Sequence, residues 1–238
     1  MLNASLPFLS RCAALGVAAC LAAPVAQAAT ISSTFDTGTE GWLTSEFLIN
    51  SPTTGLPTQA ATGGNPGGRL VTSDVFSWHA FVAGPQFTGD KSAFYGGMLS
   101  FDLRTNFTTG ASPNYPVVIL YGTNGQSVQG RGVYPGSGAG YVNFAFSLDE
   151  SAWQTHVSGT ASVGVAPTQG AFQAILGSLS SIRINADYYS GDDSYDLDNF
   201  TMTSPGGTTV VPVPGALVLL GSGLGLLGFV GRARRSKA

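Results

Sequence analysis

From Gly97 to Arg104 the chain alternates: Leu99, Phe101 and Leu103 take one side, while Ser100, Asp102 and Arg104 take the other. A period of two belongs to a β-strand with one face in a core and the other outside it. The pattern returns from Tyr141 to Leu148, where Val142, Phe144, Phe146 and Leu148 share a side. Pro116 to Tyr121 is apolar throughout and reads as a central strand buried on both faces. Further strands are expected at 31–35, 42–49, 69–72, 78–82, 126–133, 182–188 and 195–202. One helix is expected at 169–179, where Phe172, Ile175, Leu176 and Leu179 recur at helical spacing. Loops rich in Gly, Pro, Thr and Asn separate these elements, and Asn65-Pro66-Gly67-Gly68 is the strongest turn. Strands in hairpin-like series with one late helix predict an all-β fold, an antiparallel two-sheet sandwich of the jelly-roll type.

The two ends differ in kind from this middle. Residues 1–28 carry Arg11, an apolar run from Cys12 to Ala26 and the cleavage pattern Ala26-Gln27-Ala28, which together read as a secretory signal peptide. Cys12 and Cys20 both fall inside it. The exported chain would then have no disulfide, no thiolate nucleophile and no Cys-ligated zinc. At the other end, Val211-Pro212-Val213-Pro214-Gly215 precedes an uncharged run from Ala216 to Gly231 and the basic residues Arg232, Arg234, Arg235 and Lys237. An apolar stretch of about 20 residues crosses a bilayer core, and arginines after it mark the cytoplasmic side. The expected organisation is a signal peptide at 1–28, a sandwich at 29–205 and a linker with a Pro-rich motif at 206–214. A transmembrane helix of the precursor at 215–231 and a basic stub at 232–238 follow.

Charge narrows the partners. All 13 acidic residues lie between Asp36 and Asp198, with only Arg69, Lys91, Arg104, Arg131 and Arg183 as bases, a net charge of −8 for that span. Phosphate recognition needs a basic footprint, which argues against a nucleic-acid partner.

Few groups suit catalysis. His79 and His156 are the two histidines, too few for a zinc site, and the chain has no Gly-x-Ser-x-Gly elbow. Asp36-Thr37-Gly38 occurs once, whereas aspartic proteases need two such aspartates. A glycosidase needs two carboxylates across a cleft; Asp102, Asp149 and Glu150 are available, but nothing in the sequence places them together. The expectation is a protein that is not an enzyme. Asp192, Asp193, Asp196 and Asp198 form an acidic cluster whose hard oxygens suit Ca²⁺, at a spacing other than that of an EF-hand. Aromatic rings that stack on sugars are a second resource. Tyr115 and Tyr134, in loops beside Gly and Pro, are expected to be exposed, and Tyr189 is expected to form a rim beside the acidic loop. The further candidates are Trp42, Trp78, Trp153, Tyr95, Tyr141, Tyr188 and Tyr195; most of them, Trp42 and Trp78 among them, are expected in the core, and Tyr188 is expected to share the rim with Tyr189.

The tail resembles the PEP-CTERM sorting signal of Gram-negative bacteria. Val211, Pro212 and Pro214 match its motif, and Val213 stands where that motif has an acidic residue. The resemblance implies an exosortase-type processing enzyme as partner, an inner-membrane precursor stopped by Arg232, Arg234 and Arg235, and delivery to the cell surface or extracellular matrix. The family is typical of bacteria that make exopolysaccharide.

The middle resembles a laminin B (domain IV) module. The residues that carry this are Phe35-Asp36 with Gly41-Trp42, Gly64-Asn65-Pro66-Gly67-Gly68, the run from Gly89 to Arg104, and Leu197-Asp198-Asn199-Phe200. The resemblance implies a sandwich akin to galactose-binding and carbohydrate-binding modules, adhesive rather than enzymatic. By analogy with such sandwiches, a structural Ca²⁺ would join the first and last strands through Asp36, Asp196, Asp198 and Asn199, with help from Glu40. The expected function is an exported adhesion or carbohydrate-binding module associated with exopolysaccharide. Alternatives are a secreted carbohydrate-active enzyme or its accessory module, and a structural coat protein without a specific ligand.

Overall fold

The computed structural model describes residues 28–73, 75–106, 114–136, 138–188 and 194–206. The expected sorting motif, transmembrane helix and basic stub, the body of the signal peptide, and Tyr189, Asp192 and Asp193 lie outside these residues.

In chain order the strands are β1 (Thr30–Ser33), β2 (Leu43–Glu46), β3 (Thr58–Ala60), β4 (Arg69–Ser73), β5 (His79–Val82), β6 (Met98–Thr105), β7 (Tyr115–Gly122), β8 (Ser127–Gly132), β9 (Val142–Ser147), β10 (Gln154–Thr155), β11 (Leu179–Asn185) and β12 (Ser194–Thr203). They form two sheets. The first runs β3-β4-β12-β6-β9, with β1 also on β12; the second runs β10-β8-β7-β11-β5-β2. Every pairing is antiparallel. The fold is the all-β two-sheet sandwich that the alternating pattern predicts.

The alternation builds the core directly. Leu99, Phe101 and Leu103 on β6 are fully buried, and Phe144 and Phe146 on β9 join them. Trp42 meets Phe200 at 4.9 Å between ring centroids, and Phe87 meets Phe200 at 4.6 Å, both edge to face. Such pairs add about 0.5–1.5 kcal/mol each beyond the area they bury. β7 is apolar throughout because both of its faces are covered. Val118 and Leu120 face the core, while Ile119 and Tyr121 join Phe47, Leu48 and Ala80 in a second cluster.

The helix α1 spans Gln169–Leu176 and packs on β7 through Phe172, Ile175 and Leu176. The Thr168 hydroxyl accepts from the Ala171 N–H at 3.2 Å and so caps its start. It ends at Leu176 with Gly177 as its cap, three residues short of the expected boundary, because Leu179 opens β11. The stretch 51–68, read as loop, contains the short edge strand β3 and a bridge from Gly55 back to Thr44.

One irregularity sets the geometry of β12. Asp198 pairs with Asp102 and Thr201 with Ser100, so two residues, Asn199 and Phe200, oppose the single Phe101. This β-bulge switches the phase of the strand. Before it Tyr195 and Leu197 are buried core residues; after it Phe200 and Met202 are. Asn199 absorbs the bulge at φ 50°, a left-handed conformation that Asn tolerates better than most residues. At the far end of the same strand Thr30 pairs with Thr203, and the backbone of Ala29 bonds to both the N–H and the hydroxyl of Ser204 at 2.8 Å.

Candidate ligand-binding face

The polar side chains left by the core pattern gather on the outer face of the first sheet. The register sets Arg104 opposite Asp196, and Asp102 between Asp198 and Asn143. Two rows result.

In the first row the Arg104 Nε donates to Asp196 Oδ2 at 2.8 Å, and its Nη2 bonds to the same oxygen. Arg69 Nε lies 3.3 Å from that oxygen too, so two guanidinium groups share one fully buried carboxylate. Tyr141, just ahead of β9, holds its ring 4.7 Å from the Arg104 guanidinium carbon. That is cation–π distance. Its hydroxyl donates to the Gly63 carbonyl at 3.0 Å. Burial, then the charge of Asp196, pushes this phenol up to about 12. Arg104 also lines a cavity of about 490 Å³ together with Thr105, Asn106, Gly138 and Gly140.

The second row sets Asp102 and Asp198 side by side. Like charges in direct register destabilise a sheet unless something intervenes. Here amides intervene. Asp102 Oδ1 accepts from Asn143 Nδ2 at 2.8 Å. Asp102 Oδ2 accepts from Asn199 Nδ2 at 2.8 Å and from Asn65 Nδ2 at 3.1 Å. Asp198 accepts from the backbone N–H of Asn65 at 2.5 Å and of Asn199 at 2.7 Å. Burial raises the Asp198 carboxyl above the usual carboxylate range; Asp102 and Asp36 push the same way, against those two N–H bonds.

The loop between β3 and β4 reaches this row because it is glycine-rich. Gly68 N–H donates to Asp36 Oδ1 at 2.8 Å, while Asn65 sits on Asp198, so the loop is clamped between the turn after β1 and the last strand. Gly67 has φ +91°, and a Cβ there would overlap Asp36 Oδ1; a Cβ on Gly64 would overlap the Gly68 carbonyl. The Asn65–Pro66 peptide bond in this loop is cis.

The expected calcium ligands are not gathered into one site. Asp196 is committed to Arg104 and Arg69. Asn199 turns its NH₂ donors, not an oxygen, toward Asp102. Every carboxylate oxygen of Asp36, Asp102 and Asp198 accepts a hydrogen bond within the chain. Among the described residues no three acid, His or Cys side chains are arranged to hold a metal. A Ca²⁺ site needs six to eight converging oxygens, and these residues do not fit one.

The tyrosines also depart from expectation. Tyr134 is 2 % exposed; its hydroxyl donates to the Pro116 carbonyl at 3.2 Å, and its ring stacks on Tyr188 at 5.0 Å. The loop position misled because a tyrosine whose hydroxyl finds a carbonyl can be buried whole. Tyr115 is half-buried, 5.1 Å from Tyr188 and 6.1 Å from Trp78. Trp78, expected in the core, is 36 % exposed. Arg69 and Asn143 belong to the polar face without having been singled out as site residues, and Asn65, read as part of a turn, joins them from the loop between β3 and β4. The signal for Asn143 was the outward half of the alternating strand 141–148.

The carboxylates considered for hydrolysis stay apart. Glu150 accepts from the Tyr95 hydroxyl at 2.7 Å, and Asp149 caps the 3₁₀ turn Glu150–Ala152. Asp102 is opposite Asn143, whereas Ser147 is already opposite Met98. Asp149 and Glu150 therefore lie beyond the end of β9, more than about 13 Å along the sheet from Asp102. Glycosidase pairs stand about 5–9.5 Å apart.

A disulfide-free antiparallel sandwich with a hydrogen-bonded polar face belongs to the class of β-sandwich modules. The laminin B (domain IV) profile matches residues 80–211, more than half of the chain, and the chain belongs to that family. Among solved structures, the L4b domain of human laminin α2 superposes with a TM-score of 0.57 at 18 % identity, covering 74 % of this chain and 97 % of that one. The family 11 carbohydrate-binding module of a Clostridium thermocellum cellulosomal cellulase gives 0.40 at 13 % identity, over 76 % of this chain and 90 % of that one. An agarase gives 0.47 at 16 % identity, over 76 % of this chain but 25 % of the agarase. No curated protein matches the chain.

Proposed function

We propose that the protein is an exported, non-enzymatic surface or matrix module that binds exopolysaccharide on the outer face of its first sheet. Its PEP-CTERM-like tail would be the substrate of an exosortase-type enzyme: Val211, Pro212 and Pro214 as the sorting motif, 215–231 as the membrane helix of the precursor, and Arg232, Arg234 and Arg235 as the stop. Membership of the laminin B family supports an extracellular, non-catalytic role. The observation that carries the binding reading is the Tyr141–Arg104–Asp196 row beside its cavity. An apolar ring next to fixed donors and acceptors is what a sugar surface requires, with the ring covering C–H faces and the charged groups meeting hydroxyls.

The test is saturable binding of the full-length protein to the exopolysaccharide of its host. Tyr141→Ala and Arg104→Ala should each weaken binding at least tenfold, while Tyr141→Phe, which keeps the ring, should retain most of it. Absence of saturable binding, or equal binding by all four proteins, would remove this reading. Polysaccharide turnover lost in Asp102→Asn would install the enzymatic alternative.

A further inference from the structure

An open sheet has edges, and most edges of this sandwich are short or covered. On the second sheet, Thr44 of β2 exchanges backbone hydrogen bonds with Gly55 at 2.9 and 2.8 Å. At the other side β10 has two residues, and its Thr155 N–H donates to the Val165 carbonyl at 2.7 Å. On the first sheet β3 has three residues and β1 four. β9 is different. It runs for six residues in unbroken register with β6, from Ser147 opposite Met98 to Val142 opposite Leu103. No strand or bridge among the described residues pairs with its other side. Protein edges are blunted by charges, proline or a bulge. The stretch from Tyr141 to Leu148 has none of the three.

One bond fixes which way the backbone groups of β9 point. The Leu148 N–H donates to the Gly97 carbonyl at 2.9 Å, so Leu148 faces the β6 side. Facing alternates residue by residue along an antiparallel strand. Phe146 and Phe144 therefore also bond toward β6, while Ser147, Ala145 and Asn143 turn outward. The Ser147 carbonyl is taken by the Trp153 indole N–H at 2.7 Å. The backbone groups of Asn143 and Ala145 meet no partner among the described residues, and both residues are exposed. The Asn143 side chain does not obstruct them, because it lies back along the sheet on Asp102.

This set of donors and acceptors is its own complement. Two copies of β9, placed antiparallel about a two-fold axis beside Phe144, set each Asn143 opposite Ala145 of the second copy. Each such pair exchanges two N–H···O bonds. Phe144, 7 % exposed, then comes opposite Phe144 of the second copy, a cross-strand aromatic pair on the core face. The contact is isologous and closes on itself. Charge favours a second copy at this place. The acidic span repels its like elsewhere, but no Asp or Glu lies between Asp102 and Asp149. The outward side chains, an amide and a methyl, offer no pocket for reading a foreign sequence, whereas symmetry guarantees the match with β9 itself. We propose that β9 is the edge through which the protein pairs with a second copy of itself, by antiparallel strand addition. The pairing does not rest on the sugar-binding reading; it lays two Tyr141–Arg104–Asp196 rows on one continuous face.

Light scattering of the full-length protein in detergent should show a dimer whose share grows with protein concentration. Ala145→Pro deletes an outward donor and leaves the bonds to β6 in place; it should weaken association at least tenfold, with near-UV circular dichroism unchanged. Residue-resolved amide exchange on the wild type needs no variant, and it decides if Ala145→Pro does not fold. The N–H groups of Asn143 and Ala145 should exchange more slowly at concentrations where the dimer forms, while those of Phe144 and Phe146 stay as they are. A monomer at every concentration would overturn the proposal. So would a dimer that Ala145→Pro leaves intact, which would place the contact in the apolar tail or another surface, or exchange at Asn143 and Ala145 that ignores concentration.

Discussion

Asp102 and Asp198 are direct neighbours across the β6–β12 ladder, and amide groups rather than arginines keep the two carboxylates in place. The bulge makes this possible: it frees Asn199 to aim its amide at Asp102 while its own N–H meets Asp198. Asn199→Gly keeps the positive φ of the bulge and deletes the amide. Removing one partner of a buried charged acceptor costs about 1–3 kcal/mol. Chemical denaturation should show a loss in that range, and a loss under about 0.5 kcal/mol would mean the acid pair needs no such support.

Asp198 also sets a sign for acid behaviour. Its folded carboxyl is raised above the usual range, mainly by burial. The folded state then holds this proton more tightly than the unfolded chain does. The resulting stability is fully present below the unfolded pKa and is lost as pH rises through the folded one. The stability of the wild type relative to Asp198→Asn should therefore decline from about pH 3.5 upward. An advantage that grows with pH would contradict the assignment.

His79 acts in the opposite sense. It is fully buried, bonded to the Thr72 hydroxyl, and burial lowers its pKa from 6.5 to about 4. Here the unfolded chain binds the proton first, so stability is lost as pH falls from about 6.5 to about 4. At 1.36 kcal/mol per unit the loss approaches about 3 kcal/mol. Urea melts across that window should show the decline, and His79→Gln should flatten it.

Calcium supplies a fourth test. The oxygens of Asp36, Asp102 and Asp198 are already hydrogen-bonded, and Asp196 is held by two arginines. Melting temperature should be the same in millimolar Ca²⁺ and in chelator. A rise of several degrees with Ca²⁺ would show that the ion displaces the amide donors and rebuilds the cluster.

The parts of the fold that follow from periodicity were legible. Gly97–Arg104 and Tyr141–Leu148 announce β6 and β9, and the apolar Pro116–Tyr121 announces the doubly covered β7. The bulge was harder to see, although the three-residue step from Leu197 to Phe200 encodes it: two buried residues an odd number apart cannot share a face of a regular strand. The partners of individual side chains were not legible. Asp196 stands in an acidic run in the sequence, yet its partners, Arg69 and Arg104, lie far away along the chain and arrive only through the β4–β12–β6 order. Tyr134 looked exposed because Gly and Pro flank it; the Pro116 carbonyl that satisfies its hydroxyl belongs to another strand.

Ala29 and Ser204 hydrogen-bond to each other at the shared end of β1 and β12. The chain thus enters and leaves the sandwich through one doorway about 5 Å wide, the spacing of paired strands. A unit built this way behaves as a cassette. It can be spliced into a surface loop of an unrelated host at almost no cost to the host's geometry, and it would carry its polar face into the new setting intact.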